Sequence, residues 1–164
     1  MNIAGNNNRG LSLIELIITL IILSILAALI LPSAQMTARR VKEIELRREL
    51  RVIRTAIDEY KKAYDKAIVE GKKMDVLNKS GYPETLQQLI EGTDFGGLIS
   101  TKKKFLRRIP IDPFKPELKD GAPQWGLRSY NDKPDSTIWG GEDVFDVYSL
   151  SEETAIDGTK YKDW

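Results

Sequence analysis

The chain of 164 residues contains neither cysteine nor histidine. The first absence excludes disulfide staples and thiolate metal sites and leaves the redox compartment open. The second removes the commonest general base and metal ligand. Together they exclude Cys/His and Ser/His/Asp nucleophilic machinery, so any catalysis would fall to carboxylate, lysine or tyrosine chemistry. No nucleophile elbow, phosphate-binding loop or metal-ligand spacing is present either. The best carboxylates for an anchored enzyme, Glu142, Asp143 and Asp146, more simply decorate a turn and a strand. The chain reads as a non-enzyme.

Charge of one sign is also scarce, with a net value of only +1, but the balance is local rather than uniform. From Arg39 to Lys62 there are nine basic and five acidic residues, net +4, and from Tyr130 to Trp164 nine acidic residues and three lysines, net −6. In the basic stretch bases alternate with acids at helical spacing: Glu43 with Arg47, Arg54 with Asp58, Asp58 with Lys62. That pattern predicts a solvated helix face held by pairs four residues apart. No recognised motif or interleaved aromatic platform accompanies it, so no nucleic-acid partner is expected.

What the sequence does have is an uncharged run from Leu16 to Ala38 dominated by isoleucine and leucine. A helix from Leu11 to Leu31 would rise about 30 Å, close to the hydrocarbon thickness of a bilayer. A cleaved secretory signal fits poorly, because the run exceeds a normal apolar region and lacks a small-x-small cleavage site. Glu15 sits near its start, and a carboxylate there costs several kcal/mol unless protonated or paired. Arg9 lies six residues earlier on a different helical face, so the natural partner is a new α-amino group at Leu11, produced by processing.

The segment Arg9-Gly10-Leu11-Ser12-Leu13-Ile14-Glu15-Leu16 resembles the cleavage and methylation signature of type IV prepilins and type II secretion pseudopilins. Leu11 and Ser12 stand where that family usually has phenylalanine and threonine. The resemblance implies a leader, residues 1–10, removed between Gly10 and Leu11 by a membrane aspartic prepilin peptidase, with N-methylation of Leu11. It also implies that Glu15 pairs with the terminal amine of a neighbouring subunit during assembly. Arg39, Arg40 and Lys42 follow the span, and the positive-inside rule alone favours the opposite topology. The processing motif outweighs it, since the peptidase must reach the leader from the cytoplasm.

Beyond the span Pro32 is expected to bend or loosen the helix, which continues to about Lys66. Leu46, Leu50, Ile53, Ile57, Tyr60 and Tyr64 form an apolar stripe suited to seat a globular head. A loop over Gly71–Gly81, a short helix over Tyr82–Ile90 with Pro83 in its first turn, and an extended connector over Gly92–Pro123 follow. Strands are expected at Gln124–Tyr130 and Val144–Ser149, forming a small antiparallel sheet against the stripe. The fold class expected from this pattern is α+β, and the resemblance implies its type IV pilin-like form, with residues 11–32 as the membrane and filament-core helix and residues 33–164 as a periplasmic head.

Tyr82-Pro83 with Leu86 and Leu89, Ile109-Pro110 with Asp112-Pro113-Phe114, Phe145-Asp146-Val147-Tyr148-Ser149, and Asp157-Gly158 to Asp163-Trp164 resemble the major pseudopilin. Type IV pilins often close this region with a disulfide, which a chain without cysteine cannot form. The resemblance implies a calcium-binding loop after the last strand, to which Leu150 would offer a carbonyl and Glu153, Asp157 and Asp163 carboxylates. A solvated acidic turn, or one held by Trp139-Gly140-Gly141, is the alternative. The partners it implies are copies of the same chain, minor pseudopilins, the prepilin peptidase and an inner-membrane assembly platform, in a filament that exports folded proteins. A minor pilin that recognises DNA or a surface is the competing function.

Overall fold

A computed structural model describes residues 12–70, 80–95, 102–115 and 125–164, apart from the side chains of residues 29–33. The chain divides into two compact units, Met1–Arg40 and Val41–Trp164. One helix, α1 (Leu13–Val69), contributes to both. Leucine, isoleucine, alanine, arginine, lysine and glutamate fill most of it, all compatible with helix, and the helical backbone continues through position 32. Among the described residues, no helix is long and apolar enough to cross a membrane. The expected span runs past Ala28 into residues 29–33, whose side chains lie outside the described residues.

In the second unit the stripe does what its period predicts. Leu46, Leu50, Ile53, Ile57 and Tyr60 are buried, joined by Ala56 and Ala67, while Tyr64 packs at the edge. Burying each of the aliphatic side chains contributes about 1.5–3 kcal/mol. Facing them are Leu89, Phe95, Leu106, Trp125, Val144 and Val147. Tyr60, Phe95 and Phe105 close one end with ring centroids 5.2–6.0 Å apart in tilted and edge-on arrangements.

The short helix α2 (Leu86–Glu91) starts four residues later than the sequence suggests. The Pro83 carbonyl accepts the Val144 amide at 2.7 Å, which holds residues 82–84 outside the helix. Thr85, itself extended, becomes the N-cap, and the Gln88 side chain takes the Glu84 amide at 2.9 Å. Gly92 ends α2 at φ +80°, where a Cβ would strike the Lys103 carbonyl. That contact belongs to a two-way backbone bridge between Thr93 and Lys103, so part of the connector is paired rather than only extended.

The sheet has two antiparallel strands, β1 (Trp125–Arg128) and β2 (Asp146–Ser149), with Trp125 opposite Ser149 and Arg128 opposite Asp146. Both are shorter than expected. Asp132 accepts the Ser129 amide at 2.7 Å and so ends β1, and Val144 is drawn to Pro83 before β2 begins. Gln124 and most of the expected loop at 71–81 lie outside the described residues. The Ile109-Pro110-Ile111-Asp112-Pro113-Phe114 segment runs across the sheet. Trp125 donates its indole N–H to the Pro110 carbonyl at 2.9 Å, and Ser149 donates its hydroxyl to the buried Asp112 at 2.6 Å. A buried carboxylate held by both Ser149 and the Phe114 amide is thereby satisfied.

Candidate processing and assembly site and the C-terminal turn

Gly10 and Leu11, the expected cleavage pair, lie outside the described residues. The residues that follow them are described. Ser12 caps α1: its hydroxyl accepts the Glu15 amide at 3.2 Å and its carbonyl the Leu16 amide at 3.1 Å. Ser12 and Glu15 thus stand three apart in the Ser-x-x-Glu order of a capping box, a signal overlooked when Ser12 is read only as a processing residue. Glu15 sits in the first turn, where a negative charge complements the helix dipole, and its side chain is exposed.

On both sides of Glu15 the large apolar side chains from Leu13 to Leu26 are 43–78 % exposed. A helix that is apolar all round is stable only when lipid or other helices cover it. Its two hydroxyls agree with a dry setting, because Thr19 bonds the Leu16 carbonyl at 2.8 Å and Ser24 the Leu20 carbonyl at 2.7 Å. Neither needs water to be satisfied.

The second group of expected site residues lies at the C-terminal turn. Leu150 is half-buried, and Glu153, Asp157 and Asp163 are exposed. The turn is closed by its own backbone: Ala155 donates to the Thr159 carbonyl at 2.7 Å, Gly158 to Ala155 at 3.0 Å and Tyr161 to Glu153 at 3.3 Å. Asp157 is at the tip and Asp163 is in the final 3-10 turn, Tyr161–Asp163. Among the described residues, no group of three or more acidic side chains is gathered to hold a metal ion. In this arrangement Leu150, Glu153, Asp157 and Asp163 are not gathered into the shell of six to eight converging oxygens that calcium takes.

The groups engaging the turn come instead from α1. Glu43 accepts the Ile156 amide at 2.8 Å and the Tyr161 hydroxyl at 2.9 Å. Arg47 bonds Asp157 at 3.3 Å, and Arg54 bonds Asp146, the Val147 carbonyl and the Trp164 main-chain oxygen at 2.7–3.0 Å. Charges expected to pair within the helix thus reach to the C-terminal segment. Their spacing, i, i+4 and i+11, puts them on one helix edge, and that spacing was the legible signal. The pair Lys61–Asp65 does follow the four-residue rule.

The carboxylates best suited to an enzyme each have partners within the head. Asp143 is buried and accepts the Tyr130 amide, Asp146 is shared by Arg54 and Arg128, and Glu142 meets Asn131 at 3.1 Å. The Trp139-Gly140-Gly141 insert closes its own loop, through Trp139 to the Asp143 carbonyl and Gly140 to Asp132.

Residues 5–31 match the family model of the prokaryotic N-terminal methylation motif. No curated protein and no solved structure matches the chain. Such prepilin-like structural subunits are not typically enzymes, and the motif points to a membrane-anchored protein. The motif implies a type IV pilin-like subunit processed by prepilin peptidase and used in pilus-type polymerisation, on a chain whose α+β fold agrees with it.

Proposed function

We propose that the chain is a structural subunit of a type II secretion pseudopilus. Cleavage between Gly10 and Leu11 frees an amine that is then methylated, and residues 11–32 anchor the subunit in the inner membrane with the head in the periplasm. The observation that carries this reading is the helix apolar on all sides, with Glu15 alone at its N-terminal turn.

In a packed filament core, Glu15 of one copy meets the Leu11 amine of the next. A charge pair in a low-dielectric surrounding is strong enough to set register, and an unpaired carboxylate there is expensive. A head-to-tail contact that does not close produces a helical filament. An inner-membrane platform and minor pseudopilins would start and extend it, and its growth would promote export of folded proteins. The absence of cysteine favours secretion over adhesion or motility, because nothing closes the C-terminal region by a disulfide.

Deletion of the gene tests the role. Loss of exported folded proteins from the medium with surface pili unchanged is the expected result. Loss of pili, motility or DNA uptake with export intact would assign the subunit to a type IV pilus instead.

A further inference from the structure

The side chains at the C-terminal turn form a closed circuit. The Thr159 hydroxyl and amide both donate to Asp157 Oδ1, at 2.6 and 3.0 Å. The Trp164 indole N–H donates to the Thr159 hydroxyl oxygen at 2.7 Å. Arg47 donates to Asp157 Oδ2 at 3.3 Å, and its guanidinium carbon lies 3.8 Å from the Trp164 ring centroid. Asp157, Thr159, Trp164 and Arg47 therefore each touch the next, and the circuit returns to its start.

We infer that Arg47 is the resident cation of this turn, and that the C-terminal segment is closed by a side chain of α1 in place of a divalent metal. The guanidinium supplies what a metal would supply, a positive charge beside the Asp157 carboxylate. It adds a planar face that stacks on Trp164, which a metal could not use. Thr159 donates twice to the other carboxylate oxygen, so both oxygens of Asp157 accept hydrogen bonds from within the protein. Glu43 and Arg54 anchor the turn on either side of Arg47 along the same helix edge. Of the neighbouring acidic residues, Glu152 pairs with Lys162 at 3.3 Å, and no group of three or more acidic side chains is gathered among the described residues.

The inference does not depend on the pilin reading, since every contact lies within residues 41–164. Its test uses the full chain extracted from membranes in detergent, followed by thermal melting and limited proteolysis in millimolar calcium chloride or in chelator. The wild type is expected to melt at one midpoint in both, with its C-terminal segment equally protected. Arg47→Gln, which keeps the stem but removes the charge, is expected to melt several degrees lower and to be cut faster after Leu150. Arg47→Lys is expected to recover part of the loss through charge alone. A calcium-dependent rise of the wild-type midpoint that follows mass action would overturn the inference, because it requires a metal site in the native turn. So would an Arg47→Gln chain that melts and digests like the wild type. Should Arg47→Gln fail to accumulate, the calcium titration of the wild type decides alone.

Discussion

Arg54 Nε stands 2.7 Å from Asp146 Oδ1, and this pair joins the middle of α1 to the first residue of β2. The other nitrogen of the fork reaches the Val147 carbonyl and the Trp164 main-chain oxygen. Arg54→Ala removes a donor from three acceptors at once, leaving Asp146 with Arg128 at 3.3 Å. Solvent reaches the Arg54 side chain, which is 39 % exposed, so the loss is smaller than for a dry pair. A destabilisation of about 1–2 kcal/mol is expected, measured as a lower denaturant midpoint. An unchanged midpoint would show that the arginine serves no structural purpose.

Gly126 faces Tyr148 across the two strands, and a Cβ at that position would overlap the tyrosine ring. The ring has little room to yield. It lies beneath the Arg128 guanidinium at 4.2 Å, and its hydroxyl bonds the Thr137 carbonyl at 3.3 Å. Gly126→Ala is expected to destabilise the head by about 1–3 kcal/mol through overpacking. The double variant with Tyr148→Leu should recover part of that loss, read by thermal melting.

The apolar stripe at Leu46, Leu50, Ile53, Ile57 and Tyr60 was legible because one face of a 3.6-residue helix repeats in sequence at threes and fours. The hairpin was legible for the matching reason, the alternation around Val147. The ends of these elements were not, since each is set by a partner distant in sequence. Asp132 stops β1 at Ser129, and Val144 draws Pro83 out of the expected start of α2. At the processing site the motif is plain in the sequence, whereas the cap made by Ser12 is hidden in it because the same residues serve both. The C-terminal turn was the least legible part. Glu43, Arg47 and Arg54 can pair locally as well as over 90 or more residues, and only the fold decides which.

Two exposed carboxylates give the stability a pH dependence of known sign. The Ser129 amide, then the Gly140 amide, hold the Asp132 carboxyl below the usual carboxylate range. Thr159, first by its hydroxyl and then by its amide, and Arg47 by its charge, do the same for Asp157. A depressed folded-state value means that the stabilisation is present above the unfolded value and is lost as pH falls through the folded one. The thermal midpoint is therefore expected to hold at mildly acidic pH and to decline below about pH 4. Asp132→Asn should lower the midpoint at neutral pH and flatten the acid decline. A decline equally steep in that variant would place its cause elsewhere.

In the proposed assembly, processing at Gly10 creates the amine that Glu15 needs. The most direct measurement is the mass and N-terminal sequence of the membrane-bound chain from cells with and without prepilin peptidase, for the wild type and for Glu15→Ala, with filaments counted by electron microscopy. The expected result is a chain that begins at methylated Leu11 only when the peptidase is present, and a Glu15→Ala chain that is processed yet forms no filaments. A chain that begins at Met1 in peptidase-positive cells, is cut downstream of the apolar run, or assembles normally without Glu15 would contradict it.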